Sequence, residues 1–477
     1  MNKVELEFVE SPVEYRPFRP DDLVYPERHV GEGAERRNDK KQPYVDFGTD
    51  RHEDKERYTS RDVMEREWQN LWKKTWVIFG HINDLPEPGR FIKVDLGRES
   101  FIVVRQDDGS IKALYNVCQH RGTQLVTEDF GHRDTFTCPF HLWQFDKSGK
   151  CMKVTDRETF RKQAIDPYEI DIPEARVQEW KGWLFISMDK NAEPLTEFLG
   201  EELIKQHAAY PFEQMKRLVD YRQVWDVNWK VALEAFIEGY HLQAVHPQMV
   251  GFIDVYHIQI DLYDNGHAKI IAPYMRPSPQ YAHRVGDEII FEHKIFLRDA
   301  GIDPETFTGT WHDVRPAIIA AKRKFAEEAG LDFSGFDDEQ LTDDWNTKFF
   351  PSATFNAHPE GVLLQYWWPH PTDPEKMIYY YQVYGLPDRE LPTYMAVPEG
   401  TDRQLGNVLP AVHLETGDLE PLGPVLSQDA VFIPRVQSRM RSDGYRGGLY
   451  CEQEIGIRQF YAKYYEMLGT DPAASSK

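Results

Sequence analysis

Two pairs of metal-ligating side chains stand close together in the first third of the chain. Cys118 and His120 form a C-x-H pair, and Cys138 and His141 form a C-x-x-H pair after seventeen intervening residues. Thiolates and imidazoles are the ligands of zinc and of iron–sulfur clusters. The spacing alone leaves two interpretations open: a structural zinc site, or a [2Fe–2S] cluster with one iron on two Cys and the other on two His.

A second set of candidate ligands lies in a strongly apolar segment, residues 228–246. The pattern predicts one long helix that is buried nearly all round. Glu234, Glu238 and His241 fall within an arc of about 60° on one face of such a helix. A buried carboxylate must be paired, bind a metal or stay protonated. Two acids stacked on a histidine therefore favour a functional site over plain packing.

His246 extends this set, but it lies about 140° beyond His241 around an ideal helix. Both histidines face one metal only if the helix breaks between them, and Pro247 disfavours helical conformation at His246. Two histidines and one carboxylate with open positions form the facial triad of non-haem Fe(II) oxygenases. The alternative is a purely structural role, in which the two histidines are simply hydrogen-bonded near a helix end. The residues alone leave four candidates for the carboxylate: Asp254, Asp261, Asp264 and Asp429.

The elements that must position these residues differ along the chain. Short apolar or alternating runs between about residues 75 and 190 predict an all-β unit, with a hairpin turn at Asp108-Gly109. From about residue 195 the pattern is mixed, with predicted helices at 316–330 and 451–468 and aromatic-rich strands at 361–369 and 376–385. The fold class expected from this order is α+β.

Size, charge and cysteine content exclude several classes of protein. The chain has 477 residues and a net charge of −23, so it lacks the basic surface that nucleic acid or an anionic membrane requires. No run of 18 apolar residues predicts a membrane span, and the N-terminal residues lack the apolar core of a signal peptide. Four cysteines are too few for a disulfide framework. We expect a cytoplasmic enzyme without a nucleic-acid or membrane partner.

The two Cys-His pairs resemble a known motif. The segments CQHRG (118–122) and CPFHLW (138–143) are similar to the Rieske cluster motif of the non-haem iron oxygenases, the aromatic-ring-hydroxylating α subunits. Thr123 and Phe140 stand where respiratory Rieske proteins carry a disulfide, so the resemblance points to the oxygenase or ferredoxin branch. Two positions depart from the family pattern, since Phe140 replaces the usual Tyr and Leu142 the usual Gly. The resemblance implies that Cys118, His120, Cys138 and His141 hold a [2Fe–2S] cluster.

The apolar segment resembles the catalytic iron motif of the same family. This implies that His241 and His246 ligate a mononuclear non-haem Fe(II), with Asp429 as third ligand because Gln437 follows it at the family spacing. Glu238 aligns with the family's bridging acid, usually Asp. It would hydrogen-bond His241 and reach His141 of the partner subunit. Glu238 and Glu234 are therefore the predicted catalytic acids.

The resemblance covers roughly residues 57–470 and implies an α+β fold in two parts. It divides the chain into an N-terminal arm (1–56), a helix joining the catalytic domain (57–74), a small all-β Rieske domain (75–192) and a larger catalytic iron domain (193–477), whose antiparallel sheet is flanked by helices. Bridging between subunits implies a homotrimer, to which a β subunit is an optional addition.

The implied activity is oxygenation of an apolar or aromatic substrate, as in aromatic hydrocarbon catabolism. Electrons from NAD(P)H would arrive through a separate ferredoxin or flavin reductase, since no dinucleotide-binding GxGxxG follows a strand. A quaternary-ammonium or demethylating monooxygenase is one alternative, and an electron carrier or binding protein without turnover is another. The residues expected to line the pocket are Ala235, Phe236, Leu242 and Val245. Trp367 and Trp368 either close it or belong to the sheet core.

Overall fold

The structure is a computed structural model that describes residues 47, 51–52, 54–160, 165–166, 168–255, 257–278, 286–387 and 411–470. The predicted N-terminal arm lies almost wholly outside these residues. None of the helices in the described ranges combines the length and the apolar character needed to cross a bilayer.

Twenty strands are present in the described ranges, and eleven belong to the first 187 residues. These are β1 (Arg51–His52), β2 (Val77–His81), β3 (Arg90–Leu96), β4 (Glu99–Arg105), β5 (Ile111–Tyr115), β6 (Phe130–His132), β7 (Thr135–Thr137), β8 (Gln144–Asp146), β9 (Cys151–Lys153), β10 (Glu174–Trp180) and β11 (Trp183–Ser187). The others are β12 (Lys216–Trp225), β13 (Gln259–Leu262), β14 (Ala268–Ala272), β15 (Asp344–Phe349), β16 (Ala353–His358), β17 (Gly361–Pro369), β18 (Met377–Gly385), β19 (Val412–Leu414) and β20 (Gly448–Leu449).

The first part of the chain is all-β, as predicted. Seven antiparallel strands pair in the order β2-β11-β10-β5-β4-β3-β6, and β7, β8 and β9 form a separate three-stranded sheet. The predicted hairpin joins β4 to β5, where Gly109 has φ +85° and Asp108 Oδ1 accepts from Ser110 N–H at 2.9 Å. Glycine reaches this left-handed conformation without a steric penalty. The two sheets present the loops that carry the Cys-His pairs.

The second part is built on one large sheet, ordered β13-β14-β15-β16-β17-β18-β12-β19. All its pairings are antiparallel except that of β12 with β19. The α+β prediction of an antiparallel catalytic sheet flanked by helices is confirmed. The helices are α1 (Arg61–Glu67), α2 (Leu195–Leu199), α3 (Glu201–Gln206), α4 (Trp229–Phe236), α5 (Leu242–Val245), α6 (Phe291–Asp299), α7 (Trp311–Ala329), α8 (Gly423–Met440) and α9 (Ile455–Leu468).

The prediction of one continuous helix over residues 228–246 is wrong. The helix α4 ends at Phe236, Ile237 leaves helical conformation with φ −119° and ψ 22°, and α5 is a single further turn. The backbone of α9 approaches this break closely, since a Cβ added to Gly456 would lie 2.4 Å from the Ile237 carbonyl oxygen. Asn346 of β15 donates from Nδ2 to the Phe236 carbonyl at 3.1 Å, which satisfies a group that the break exposes.

The helix that precedes the all-β unit begins at Arg61. Its N-cap is Ser60, because Ser60 Oγ accepts from the N–H groups of Asp62 and Val63 at 3.2 and 3.4 Å. The helix continues as a π-helical turn over Trp68–Trp72. Glu67 then forms a buried ion pair of 2.5 Å with Lys230, the second residue of α4. This segment therefore packs on α4 through a buried ion pair.

Hydrogen bonds tie the all-β unit to the large sheet. Tyr380 of β18 donates to the Asp95 carbonyl at 3.2 Å, and Arg222 of β12 pairs with Asp129 at 3.0 Å. The pair Trp367 and Trp368 is 0% and 1% exposed and lies in the sheet core. The core interpretation of these tryptophans is confirmed, although the Trp367 ring packs at a tilt of 31° against Phe236 at the edge of the catalytic cavity.

Candidate functional site

The first site lies in two loops of the all-β unit, and each loop carries one Cys-His pair. Cys118 and His120 follow β5, and Cys138 and His141 lie between β7 and β8. The N–H of Cys118 donates to the Thr123 carbonyl and that of Cys138 to the Trp143 carbonyl, both at 2.8 Å. A tight turn thus closes behind each pair and holds its side chains toward the other loop.

The four donors meet as two pairs of like atoms. The thiols of Cys118 and Cys138 lie within hydrogen-bonding reach, and the Nδ1 atoms of His120 and His141 are 3.1 Å apart. The Trp143 ring stacks on His120 with an interplanar angle of 9°. Separate thiolate and imidazole pairs suit the two irons of a Rieske cluster. The structure offers no support for the zinc alternative. In the described ranges, the group of three donors close enough together to hold a single ion is formed by His241, His246 and Asp429, not by these four residues.

The backbone conformation of Leu142 shows what is lost where this chain departs from the family's usual Gly. Its φ is +61°, in the left-handed region that costs a non-glycine residue about 1–2 kcal/mol. The position needs this conformation because the Leu142 N–H turns back to the Cys138 carbonyl at 3.0 Å. The leucine side chain is 57% exposed, so it gains little from burial in compensation.

The second site is formed by the ends of the broken helix and by α8. His241 precedes α5, His246 caps its C-terminus with φ −122° and ψ 59°, and Asp429 lies within α8. One donor atom from each of the three lies within 4.8 Å of the others. The main break precedes His241 rather than falling between the histidines, and His246, before Pro247, leaves helical conformation as predicted.

Hydrogen bonds fix which ring nitrogens face the centre of this site. The Nδ1 atoms of His241 and His246 contact Glu238 Oε1 at 2.5 Å and Gln428 Oε1 at 2.8 Å. The Nε2 atoms lie 3.7 and 3.0 Å from Asp429 Oδ1. With each Nδ1–H donated outward, both Nε2 lone pairs point at the carboxylate, the arrangement found in metal-ligating histidines. The donor set therefore fits a mononuclear iron.

Glu238 organises the turn between the two helices. Its Oε2 accepts from the backbone N–H groups of Tyr240 and His241. Burial lowers the pKa of His241, but the carboxylates of Glu238 and Asp429 outweigh it and raise that pKa to about 9. The negative charge of the same carboxylates also favours a metal cation beside this ring. The predicted contact between Glu238 and His241 is therefore present within the chain.

Glu234 lies away from the three metal donors. Its Oε1 accepts from Tyr58 at 2.8 Å and from Tyr461, and Arg57 packs over the Tyr461 ring. Burial raises the pKa of Glu234, while Arg57 and the tyrosine hydroxyls oppose that rise. The expectation that Glu234 shares a face with His241 fails because the helix breaks after Phe236.

The competing aspartates have other partners or positions. Asp254 contacts His257 at 2.6 Å and Arg276 at 3.1 Å, and Asp261 pairs with Lys269 at 3.0 Å. Asp264 is exposed. Of the four candidates, Asp429 is the one that the structure brings to the histidines.

Two glutamines of α8 support the site. Gln428 holds His246, and Gln437 accepts from the Asn228 N–H at the start of α4 at 2.6 Å. The sequence identified Gln437 through its spacing from Asp429, but it gave no sign of Gln428 beyond adjacency to the ligand. The helix α8 thus supplies the Asp429 carboxylate and orients His246 through Gln428. Through Gln437 it also bonds to the start of α4, the helix that leads toward both histidines.

A cavity of about 550 Å³ opens beside the three donors. Its walls come from the end of α4, the α5 turn, α6, the start of α8 and the inner face of β14 to β17. The predicted residues Ala235, Phe236 and Leu242 line it, whereas Val245 does not. A mostly apolar cavity beside a group of candidate metal ligands has the character of a small-molecule pocket.

The fold and the two sites define a protein with an iron–sulfur cluster domain and a mononuclear iron domain. Residues 75–169 match the Rieske [2Fe-2S] domain, and residues 212–470 match the ring hydroxylating alpha subunit (catalytic domain). The chain belongs to the ring-hydroxylating oxygenase alpha subunit family. Its cofactors are the Rieske [2Fe–2S] cluster and a mononuclear non-haem iron.

Curated relatives include oxygenases of different kinds. The carnitine monooxygenase oxygenase subunit of Acinetobacter pittii is 30% identical over 208 residues, which cover 43% of this chain and 54% of that protein. The alpha subunit of toluate 1,2-dioxygenase of Pseudomonas putida is 31% identical over 204 residues, covering 40% and 44%. The chain thus matches about half the length of these relatives.

Solved structures share the fold over most of the chain. The quaternary ammonium Rieske monooxygenase CntA in complex with L-carnitine has a TM-score of 0.59 at 19% identity, covering 86% of this chain and 94% of that one. Naphthalene 1,2-dioxygenase from Rhodococcus sp. bound to indole has a TM-score of 0.60 at 17% identity, covering 89% and 96%.

Proposed function

We propose that the protein is a Rieske-type oxygenase that hydroxylates an apolar organic substrate with O₂ and electrons supplied from NAD(P)H by a separate reductase. The observation that carries this proposal is the set of donors on His241, His246 and Asp429 at the wall of a cavity of about 550 Å³. When bound, the cluster supplies single electrons and the iron supplies O₂ activation.

The residues of the chain hold this chemistry in place. Glu238 and Gln428 fix the two histidine rings, and Asp429 adds the charged ligand. Phe236 and Leu242 give the adjoining space apolar walls. We assign Glu234 a positioning role rather than a reacting one, since it holds α4 against Tyr58 and Tyr461.

We further propose that electrons cross between subunits, from His141 of the partner subunit through Glu238 to His241. Exposed apolar side chains at both ends of this route support an interface, because Phe140 is 54% exposed and Tyr240 is 51% exposed. Mutual contacts of this kind between different surfaces close into a ring, and we propose a homotrimer. A ferredoxin or flavin reductase fed by NAD(P)H would place the assembly in the cytoplasm.

We retain the sequence-based division into arm, joining helix, Rieske domain (75–192) and catalytic domain (193–477) as a proposal. The cluster loops lie within the proposed Rieske domain, and the iron donors lie within the proposed catalytic domain. The relatives are named for substrates as different as carnitine and toluate. The substrate must therefore be inferred from the cavity lining of this chain.

Product formation tests the proposed activity. The purified holoenzyme, a surrogate reductase and ¹⁸O₂ are incubated with aromatic, alicyclic and ammonium compounds, and labelled products are detected by mass spectrometry. We expect ¹⁸O incorporation by the parent protein and by an Asp264→Ala control at an exposed site. Asp429→Ala should keep the cluster spectrum, lose mononuclear iron and form no labelled product. Labelled product from Asp429→Ala, or none from the parent across the panel, would contradict the proposal.

A further inference from the structure

The sheet face of the cavity carries a row of polar side chains opposite the helical wall. Asn346 of β15 and Asn356 of β16 are direct cross-strand neighbours, and Asp344 lies two residues before Asn346 on the same face of β15. All three line the cavity. An apolar substrate alone would leave this row without a partner.

Hydrogen bonds fix the orientation of both amides. Asn356 Nδ2 donates to both carboxylate oxygens of Asp344 at 2.9 Å, and Asn346 Nδ2 donates to the Phe236 carbonyl. The two Oδ1 atoms are consequently fixed as acceptors. Both oxygens are buried away from the cavity surface, and neither has a hydrogen-bond partner among the described residues. The carboxylate of Asp344, which is partly exposed, is therefore the part of the row that a bound molecule can reach.

Among the described residues, no lysine or arginine forms an ion pair with the carboxylate of Asp344. Its side chain is 15% exposed, and the nearest basic group in the described ranges is His358 Nε2 at 3.7 Å, beyond hydrogen-bond length. No lysine or arginine is found among the described residues that line the cavity. Apart from Tyr274, its ionisable lining residues are acids and the two ligand histidines: Glu238, His241, His246, Glu292, Asp344 and Asp429. This charge pattern repels anions and leaves Asp344 free to receive a cation.

Aromatic side chains line the remainder of the space near this row. The rings of Phe252, Tyr274 and Phe296 pack against one another with centroids 5.5 to 5.7 Å apart, and all three line the cavity. Such rings bind an apolar body and also attract a nearby cation through their faces.

Resting on the proposed function, we propose that the substrate is an amphipathic amine: an apolar body with a protonated N–H ammonium end that the carboxylate of Asp344, held by Asn356, recognises. A carboxylate accepts hydrogen bonds from N–H donors, which a quaternary ammonium lacks. The carboxylate rejects an anionic group of the same size. Asp344 is thus a specificity-determining residue for this oxygenase.

Isothermal titration calorimetry of the anaerobic holoenzyme tests this proposal without turnover. The probes share a phenylethyl body and differ at the end: 2-phenylethylammonium, its trimethylammonium analogue, propylbenzene and 3-phenylpropanoate. We expect 2-phenylethylammonium to bind at least about tenfold more tightly than the other three. Absence of ammonium binding, or equal binding of the anion, the hydrocarbon or the quaternary analogue, would overturn the proposal.

Substitutions locate the recognition. Asp344→Asn should weaken 2-phenylethylammonium binding by at least about tenfold and change propylbenzene binding by less than about twofold. Asp264→Asn, which removes the same charge at an exposed site, should leave both unchanged. Undiminished ammonium binding by Asp344→Asn would overturn the assignment. Since ¹⁸O incorporation is measured separately, failure of amine recognition is distinguishable from failure of the oxygenase function.

Discussion

The carboxylate of Glu238 makes contacts on both of its oxygens. Oε1 meets His241 Nδ1, and Oε2 accepts from two backbone N–H groups of the same turn. Only an ionised carboxylate offers acceptors on both sides, since an amide has one acceptor oxygen. The residue therefore holds the ring of the ligand and the turn that carries it.

We expect Glu238→Gln to lower substrate oxidation by about 10- to 100-fold, because the amide cannot accept on both sides and loses the charge of the proposed bridge. Both metals should remain bound, as measured by metal analysis. Single-turnover kinetics check the electron-transfer step. An exposed-site variant, Glu197→Gln, serves as control, and parental single-turnover rates in Glu238→Gln would refute the role.

Leu142 offers a test at the cluster. Leu142→Gly should raise the free energy of unfolding of the cluster domain by about 1 kcal/mol, because glycine relieves the left-handed strain at some cost in chain entropy. Denaturant titration followed by the visible absorbance of the cluster measures this. Leu142→Ala removes the same side chain without relieving φ, so equal stability of the Gly and Ala variants would contradict the explanation.

At the scale of elements, the broken helix decides the geometry of the iron site. A continuous helix would have kept Glu234 and His241 on one face, whereas the break sends Glu234 to the tyrosines and His241 to Asp429. The close approach of Gly456 to Ile237 and the hydrogen bond from Asn346 both stabilise that break.

Gly456→Ala should disturb the break, because the added Cβ would meet the Ile237 carbonyl oxygen at 2.4 Å. We expect a loss of about 1–3 kcal/mol in the free energy of unfolding and a lower content of mononuclear iron. The cluster spectrum should not change. Gly444→Ala, whose Cβ meets only Ser442 Oγ at 3.5 Å, is the matched control. Full iron occupancy with parental stability in Gly456→Ala would contradict this account.

The sequence predicted the elements better than their interruptions. Ligand types and spacing identified His241 and His246, and the family resemblance identified Asp429. The continuous helix was wrong because the groups that compensate the break, Asn346 and Gly456, lie more than 100 residues away along the chain. Likewise, Asp344 looks like any strand-end acid until pairing places it beside Asn356 in the cavity.

At the scale of the whole molecule, buried histidines link stability to pH. His267 contacts the Phe198 carbonyl through Nε2 at 2.8 Å, and its Nδ1 accepts from the Phe350 N–H at 2.9 Å. One nitrogen donates and the other accepts, so the ring is neutral. Burial lowers the pKa of His267 to about 3. Three separated parts of the chain therefore meet at a histidine that resists protonation.

The unfolded chain binds a proton at this histidine below its ordinary pKa of about 6.5, while the folded chain does not. The stabilisation is complete above about pH 6.5 and is lost as the pH falls toward the folded value near 3. We expect His267→Gln to reduce the slope of unfolding free energy against pH, between about pH 4 and 6, by about 1.4 kcal/mol per unit. Denaturant titrations at several pH values measure it, and equal slopes would contradict the assignment.

Asp429 and Gln437 are eight residues apart in α8, which is two full turns and about 80° more. Both side chains therefore lie on one side of the helix. Inserting or deleting one residue between them would rotate one relative to the other by about 100°. The carboxylate would then leave the histidines, or the glutamine would leave Asn228. The length of this stretch is thus constrained more strictly than its composition, and natural variants should replace residues there without changing their number.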